Sequence, residues 1–487
     1  MRAIRDKLVC LVLIFSLIIS VTGCGRGTGT ENSAPVVHKK TNVITFRSNL
    51  YPPPATLDPH RAKTESEILL TKCIYDTLFE KENGKIIDGL AERWTYSEDG
   101  KKLTVHLKKG VKFHNGAPLT AEDVEFSLKR AAGYFREQNQ SYGIDFSGLR
   151  ENIVIEDNDT LSIYFSSPSF NFHEVLSLPV FSIVHKKTIE NYPDYGRPGG
   201  YFSPVVPVVG TGPYRFVEWI DGQFLVLASN PNYHKKTSNL ERLEFRLYND
   251  LSIAVHDFIA YDLDAIILDG KNYLEVIKEY PELKDYTEKF LTGTKYYLGF
   301  NLDKKPFDRW EARDAVVKAL DAEKIEKDAD GAIKPLEGLG KGDARAAKKV
   351  LDRLGDDTDS GNDKKSLEVV LGFSEGDVQR TIGESIKKQL EALGMEVALR
   401  KFSTDSEAKS LANFFILKLT STAEDFKGQE LKNEGDKDSS DAEGKENEIL
   451  IPIGQRYDYY CVHKWVKFAV DQETGLIDFL KTKKDTR

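Results

Sequence analysis

Four cysteines, two methionines and four tryptophans in 487 residues leave this sequence short of sulfur and of indole. Cys10 sits in the leading apolar run and Cys24 at its end, so only Cys73 and Cys461 are left to pair. Two cysteines are too few for a disulfide framework. Both lie in apolar or aromatic stretches, which reads as two buried free thiols. Basic residues do not exceed acidic ones. Lys plus Arg total 68 against 77 for Asp plus Glu, a net charge of -9, which excludes the basic footprint of a nucleic-acid binder. No apolar run reaches the ~20 residues that a membrane-spanning helix needs. The sequence also lacks H-E-x-x-H, C-x-x-C, a dinucleotide-binding glycine pattern and a phosphate-binding loop. With nine histidines, it predicts no cofactor, no metal centre and no enzyme.

What is present begins with Arg2, Arg5 and Lys7 ahead of the 14-residue apolar run Leu8 to Val21. That is the pattern of a secretory signal peptide over 1–23. The run ends Val21-Thr22-Gly23-Cys24, which looks like a bacterial lipobox with Cys24 as the lipidated residue. Residues 24–41 are rich in Gly, Thr and Ser and read as a flexible tether. Hydrophobic residues make up 40% of the chain, enough to bury cores in about two to four domains.

From Val43 onward strand-like alternation mixes with helical stripes, so the class is α/β or α+β with mixed sheets. Leu103, Val105 and Leu107 face one way and predict a hairpin through Lys108-Lys109-Gly110 to Val111 and Phe113. Thr120 to Asp123 reads as a capping box. Leu367 to Phe373 predicts a strand. Val378, Ile382, Ile386, Leu390 and Leu393 predict a helix after it, with Gly394 as its C-terminal cap. Gly355 to Lys365 and Lys427 to Glu448 look unlike packed protein, and the second, whose only apolar side chains are Leu431 and Ala442, predicts a mobile loop.

Three patterns invite a chemical reading. Gly372-Phe373-Ser374-Glu375-Gly376 matches a nucleophile elbow, but His463 is the only histidine downstream of it, and a tight turn into a helix explains the same residues. His106 and His114 read as hydrogen-bonded strand histidines rather than metal ligands. Asp262, Asp264 and Asp269 read as acidic loop residues rather than paired catalytic carboxylates.

The longest specific signals are Thr56-Leu57-Asp58-Pro59-His60, Tyr75 to Phe79, Leu90 to Arg130, Gly210-Thr211-Gly212-Pro213-Tyr214 with Asn230 to Tyr233, and Tyr296 to Ile325. In that order they resemble the dipeptide and oligopeptide (family 5) solute-binding proteins of ABC importers. The resemblance implies a two-lobed periplasmic-binding-protein-like fold with three regions, a hinge and an interlobe cleft. It places lobe one at 42–84, 203–291 and 449–487, an accessory domain at 85–202, and a shortened lobe two at 292–448. The function it implies is a lipid-anchored, extracytoplasmic and monomeric receptor that closes on short peptides or another small solute and delivers them to membrane permease subunits. A family member that has lost transport and serves as an adhesin, chaperone or scaffold is the alternative.

By the same resemblance, Lys63, Thr64 and Glu65 form a cleft-lining loop, Tyr296, Tyr297 and Asn301 are cross-cleft positions, and Tyr142 belongs to the accessory domain. Lys418 matches the cleft's basic residue. Glu424 or Asp425 matches the carboxylate that meets a peptide's amino terminus, whose desolvation needs a counter-charge.

Overall fold

The computed structural model describes residues 43–82, 84–137, 152–192, 207–356, 367–374, 377–403, 405–419, 448–471 and 474–485. Cys24, Tyr142, Glu424 and Asp425 lie outside them, as do all but the ends of the stretches 355–365 and 427–448. In chain order the strands are β1 (Thr45–Leu50), β2 (Phe79–Glu82), β3 (Lys85–Asp88), β4 (Ala91–Tyr96), β5 (Lys102–Leu107), β6 (Ile153–Asp157), β7 (Thr160–Tyr164), β8 (Tyr214–Ile220), β9 (Phe224–Ser229), β10 (Arg242–Leu247), β11 (Ala265–Asp269), β12 (Thr287–Asn301), β13 (Ile333–Pro335), β14 (Glu368–Phe373), β15 (Glu396–Lys401), β16 (Phe414–Leu419) and β17 (Glu448–Val462). The helices used below are α1 (Glu65–Ile74), α2 (Ala121–Glu137), α3 (Leu251–Ile259), α4 (Gly270–Glu279) and α5 (Asp377–Glu391).

One sheet runs β15-β14-β16-β12-β17-β11-β1-β10-β9-β8, with β13 also on β17. Its two central strands are 15 residues each, about 50 Å at ~3.3 Å per residue. That length lets a single pair of strands take different partners at its two ends. β16 pairs with β12 over Lys295 to Phe300, whereas β11 pairs with β17 over Asp458 to Val462. Between those regions the β12–β17 ladder breaks, from Leu291 to Lys295. Gly293 N there donates to Thr474 O (2.9 Å) and Gln455 Nε2 to Thr292 O (2.6 Å). The fold is mixed α/β and two-lobed.

Each part has its own core. The stripe Ile382, Ile386 and Leu390 of α5 is fully buried against Leu298, Phe300, Phe414 and Ile416. Gly394 closes that helical segment at φ +93°, a conformation that suits glycine. In a second cluster, Leu69, Leu70 and Ile74 of α1 pack on Phe46, Phe245 and Tyr460. The separate sheet β4-β5-β7-β6 packs Leu103 and Val105 on Val124, Leu128 and Ala131 of α2.

Two local expectations are corrected. β5 pairs with β4 and β7, not with 111–113. After Gly110, Val111 O instead accepts Leu119 N (3.0 Å) and Phe113 N donates to Ala117 O (2.8 Å), so the turn opens a small loop while longer strands take both edges of β5. At Thr120 the hydroxyl donates to Asp123 Oδ2 (2.8 Å) instead of capping a backbone N–H, and the Thr120 N–H donates to the same oxygen (3.1 Å). A complete capping box occurs at Thr64 and Glu67.

The blocks singled out in the sequence hold one another. Arg130 clamps Asp58 through Nη1–Oδ1 (2.8 Å) and Nη2–Oδ2 (2.6 Å). Thr211 Oγ1 and Tyr233 OH both donate to the buried Asp76 (2.7 and 3.0 Å), and Asn230 Nδ2 donates to Gly212 O (2.9 Å). These residues are scaffold. Cys73 and Cys461 are free and buried, and burial pushes both thiols up, Cys461 to about 11. Neither is expected to react with maleimide at neutral pH until denaturant is added. Rapid labelling of the native protein, read by mass spectrometry, would show that α1 or β17 opens.

Candidate functional site

The site is built where α1 meets the two shared strands. Thr64 and Glu67 fix the start of α1. Glu67 Oε2 accepts the backbone N–H of Lys63 (2.8 Å) and of Thr64 (3.0 Å), and Oε1 accepts that of Ala55 (2.9 Å). Glu65 is thereby held as the first helical residue. On β17, side chains alternate. Arg456, Asp458 and Tyr460 face α1, whereas Tyr459 and Cys461 pack with α3 and α4.

Four groups converge. Glu65 Oε1 accepts a hydrogen bond from Thr294 Oγ1 (2.8 Å). Glu65 Oε2 pairs with Arg456 Nη2, and the same nitrogen donates to Asp458 Oδ2 (2.9 Å). Side-chain exposure is 17% for Glu65, 11% for Arg456 and 3% for Asp458. Burial works against the Glu65 charge, but Arg456, Lys418 and the Thr294 hydroxyl outweigh it and hold the carboxyl below its usual range. Asp458 goes the other way. Burial, reinforced by Glu65 and Asp269, pushes it up to about 7 against the opposing pull of Arg456. The Tyr296 hydroxyl feels Arg456, Glu65 and Asp458, and burial drives it well above the phenol range.

The structure therefore brings Glu65, Tyr296 and Lys418 together, with Tyr296 and Lys418 directly opposite on β12 and β16. Lys63 and Thr64 adjoin them, with their backbone N–H groups engaged by Glu67. Tyr297 points to the other face of β12, among Phe402, Phe415 and Leu417. Asn301 stands at the far end of β12, where Nδ2 donates to Lys409 O (2.9 Å). Thr294, Arg456 and Asp458 escaped the sequence reading. The signal was available for two of them, since charged residues two apart in the aromatic strand Gln455 to Tyr460 share a face.

The chemical lures resolve as structure. Phe373 shares a register row with Ile416, Leu298 and Ile451, and His463 lies 12 residues beyond Ile451, about 40 Å of strand. Ser374 and His463 do not form an elbow. His463 stacks between Phe258 and Trp465 at 4.0 and 4.1 Å. His106 meets Thr160 Oγ1 (3.2 Å) and His114 meets Gly212 O (3.0 Å), so each has its own partner. Asp264 corrects the loop reading. It is 4% exposed and takes bonds from Arg47 N, Trp465 Nε1 and Lys484 Nζ at 2.8 Å each. A crevice of about 1210 Å³ lies between α1, β2–β3 and the C-terminal segment; it is lined by Cys73, Asp76 and Phe468 among others and by none of the cluster residues.

The sequence model for "Bacterial extracellular solute-binding proteins, family 5 Middle" matches residues 85–425. The chain belongs to this family. The oligopeptide-binding protein AppA of Bacillus subtilis is 27% identical to it over 433 residues, 82% of this chain and 76% of that one. The heme-binding protein A of Haemophilus influenzae is 29% identical over 268 residues, 52% of this chain and 48% of that one. The chain thus spans about half the length of this second curated relative. Among solved structures, the Escherichia coli murein tripeptide binding protein MppA superimposes with a TM-score of 0.66 at 18% identity, covering 92% of this chain and 99% of that one. At that identity the likeness is one of fold. These family 5 relatives are solute-binding proteins, not enzymes.

Proposed function

We propose that this family 5 protein is a lipid-anchored extracytoplasmic receptor that captures short peptides and delivers them to the permease subunits of an ABC importer. The observation that carries this reading is the cluster of Glu65, Thr294, Arg456, Asp458 and Lys418, where α1 meets β12, β16 and β17. Polar groups drawn there from α1, β12, β17 and β16 suit a solute that touches both lobes. Such a solute stabilises the closed state, which a permease recognises. An extended peptide fits a site of this kind because strand edges answer its backbone without reading its sequence. Lobe one comprises 42–84, 203–291 and 449–487, with 85–202 leaning on it and 292–448 opposing it. Diacyl or triacyl lipid on Cys24 holds a monomer at the membrane, since two or more chains anchor firmly.

Native mass spectrometry of the purified protein, followed by denaturing analysis of what co-purifies, tests the reading. Captured short peptides support it. An empty protein that shows no melting shift with a mixed peptide library overturns it in favour of a scaffold or adhesin role. Within this reading Glu424 and Asp425, which follow β16, supply the counter-charge for a peptide's amino terminus. Glu424→Ala with Asp425→Ala is expected to weaken binding of a free-amine peptide by about tenfold or more; unchanged affinity in calorimetry removes both residues from the site.

A further inference from the structure

One cation in the cluster serves two carboxylates. Arg456 Nη2 donates to both Glu65 Oε2 and Asp458 Oδ2, so the two carboxylates share one guanidinium nitrogen. Arg456 Nε and Asp458 Oδ1 are buried without a hydrogen-bond partner, and their residues are only 9% and 2% exposed. A buried acceptor left without a donor is costly, and more so when it carries charge. The groups that act on Asp458 are Arg456 on its own strand, Glu65 from α1 and Asp269 from β11, with Tyr296 from β12 and Tyr460 beside it. Lys418 from β16 acts on Glu65. Among the described residues this set supplies Oδ1 with no second cation.

We propose that the missing cation arrives with the solute: Asp458 is a subsite for the ammonium group of a basic side chain, which displaces a proton from the carboxyl as it binds. This rests on the peptide-receptor reading and narrows it to peptides that carry lysine or a similar amine. The ammonium N–H donates to Asp458 Oδ1, and the carboxyl proton passes to solvent. The exchange leaves the charge of the cluster unchanged. A compact ammonium suits a single orphan acceptor better than a guanidinium, whose forked donors need two.

Because the free carboxyl sits near neutrality, it is mostly protonated at about pH 6 and mostly ionised at about pH 8. The peptide Ala-Lys-Ala is therefore expected to bind about tenfold more tightly at the higher pH, releasing roughly half a proton per peptide at about pH 7. Titration calorimetry in two buffers of different ionisation enthalpy reads that release directly on the unsubstituted protein. Ala-Lys-Ala acetylated on the lysine side chain should show neither effect. Asp458→Asn should abolish both for the free lysine peptide. Binding of Ala-Lys-Ala without pH dependence or proton release overturns the subsite and leaves the receptor reading standing. Failure of both peptides to bind at any pH overturns both.

Discussion

Replacing Arg456 by leucine is expected to lower the stability of the protein by about 3–5 kcal/mol, the usual cost of stranding buried charge. The guanidinium is the shared partner of Glu65 and Asp458, and without it two partly or fully buried carboxylates face each other. Each then ionises less readily in the folded chain than in the unfolded one. A group with a raised folded-state pKa contributes full stability below its unfolded value and loses it as pH rises through the folded value. The deficit of Arg456→Leu should therefore be small in acid and grow toward neutral pH, as read from urea midpoints across that range. Adding Glu65→Gln and Asp458→Leu should recover most of the loss, since apolar replacements of a whole buried ion cluster are often neutral. A single substitution that costs less than about 1 kcal/mol would place the cluster in the class of solvent-screened surface pairs.

The second large effect is expected at Gly210 and Gly212. A Cβ on Gly210 would lie 2.0 Å from Ile74 O, and one on Gly212 would lie 2.5 Å from Ile74 C. Both obstacles are backbone, at the end of α1, and Gly212 N donates to Ile74 O at 2.9 Å. Neither can swing aside as a side chain would. Gly210→Ala and Gly212→Ala should each cost about 3 kcal/mol or more through overpacking. The same change at Gly133 of α2, where a Cβ meets nothing within 4 Å, should stabilise the helix by about 0.5–1 kcal/mol. Urea denaturation of the three variants checks the contrast. Because α1 also carries Glu65, the first two should weaken solute binding as well, and a stable Gly212→Ala variant with unaltered affinity would show slack between α1 and β8.

How far the site could be read before folding depends on the residue. Thr64 and Glu67 are three apart, and the box they form needs nothing beyond one helical turn. Glu65 and Lys418 came from resemblance, and the structure sets their charges against one another. Tyr296 and Tyr297 could be assigned to opposite faces from strand alternation alone, but not which face meets the charged cluster. Arg456 and Asp458 obey the same alternation in plain view, yet a charged pair on a strand ordinarily points to solvent. Only their burial shows otherwise.

The sequence by itself determined the elements whose causes are local: the stripe of α5, the glycine at its end, the alternation of β5 and β17, and the ordered blocks that mark the family. Those features depend on neighbours within a few residues, so they are written in spacing. The tertiary structure alone decided that β5 takes β4 and β7 as partners, that Asp264 is an anchor rather than a loop residue, and that Ser374 and His463 stay apart. It also decided the site. Glu65 and Arg456 are separated by 391 positions, and only the placement of α1 against the long strands β12 and β17 makes two carboxylates compete for one guanidinium nitrogen.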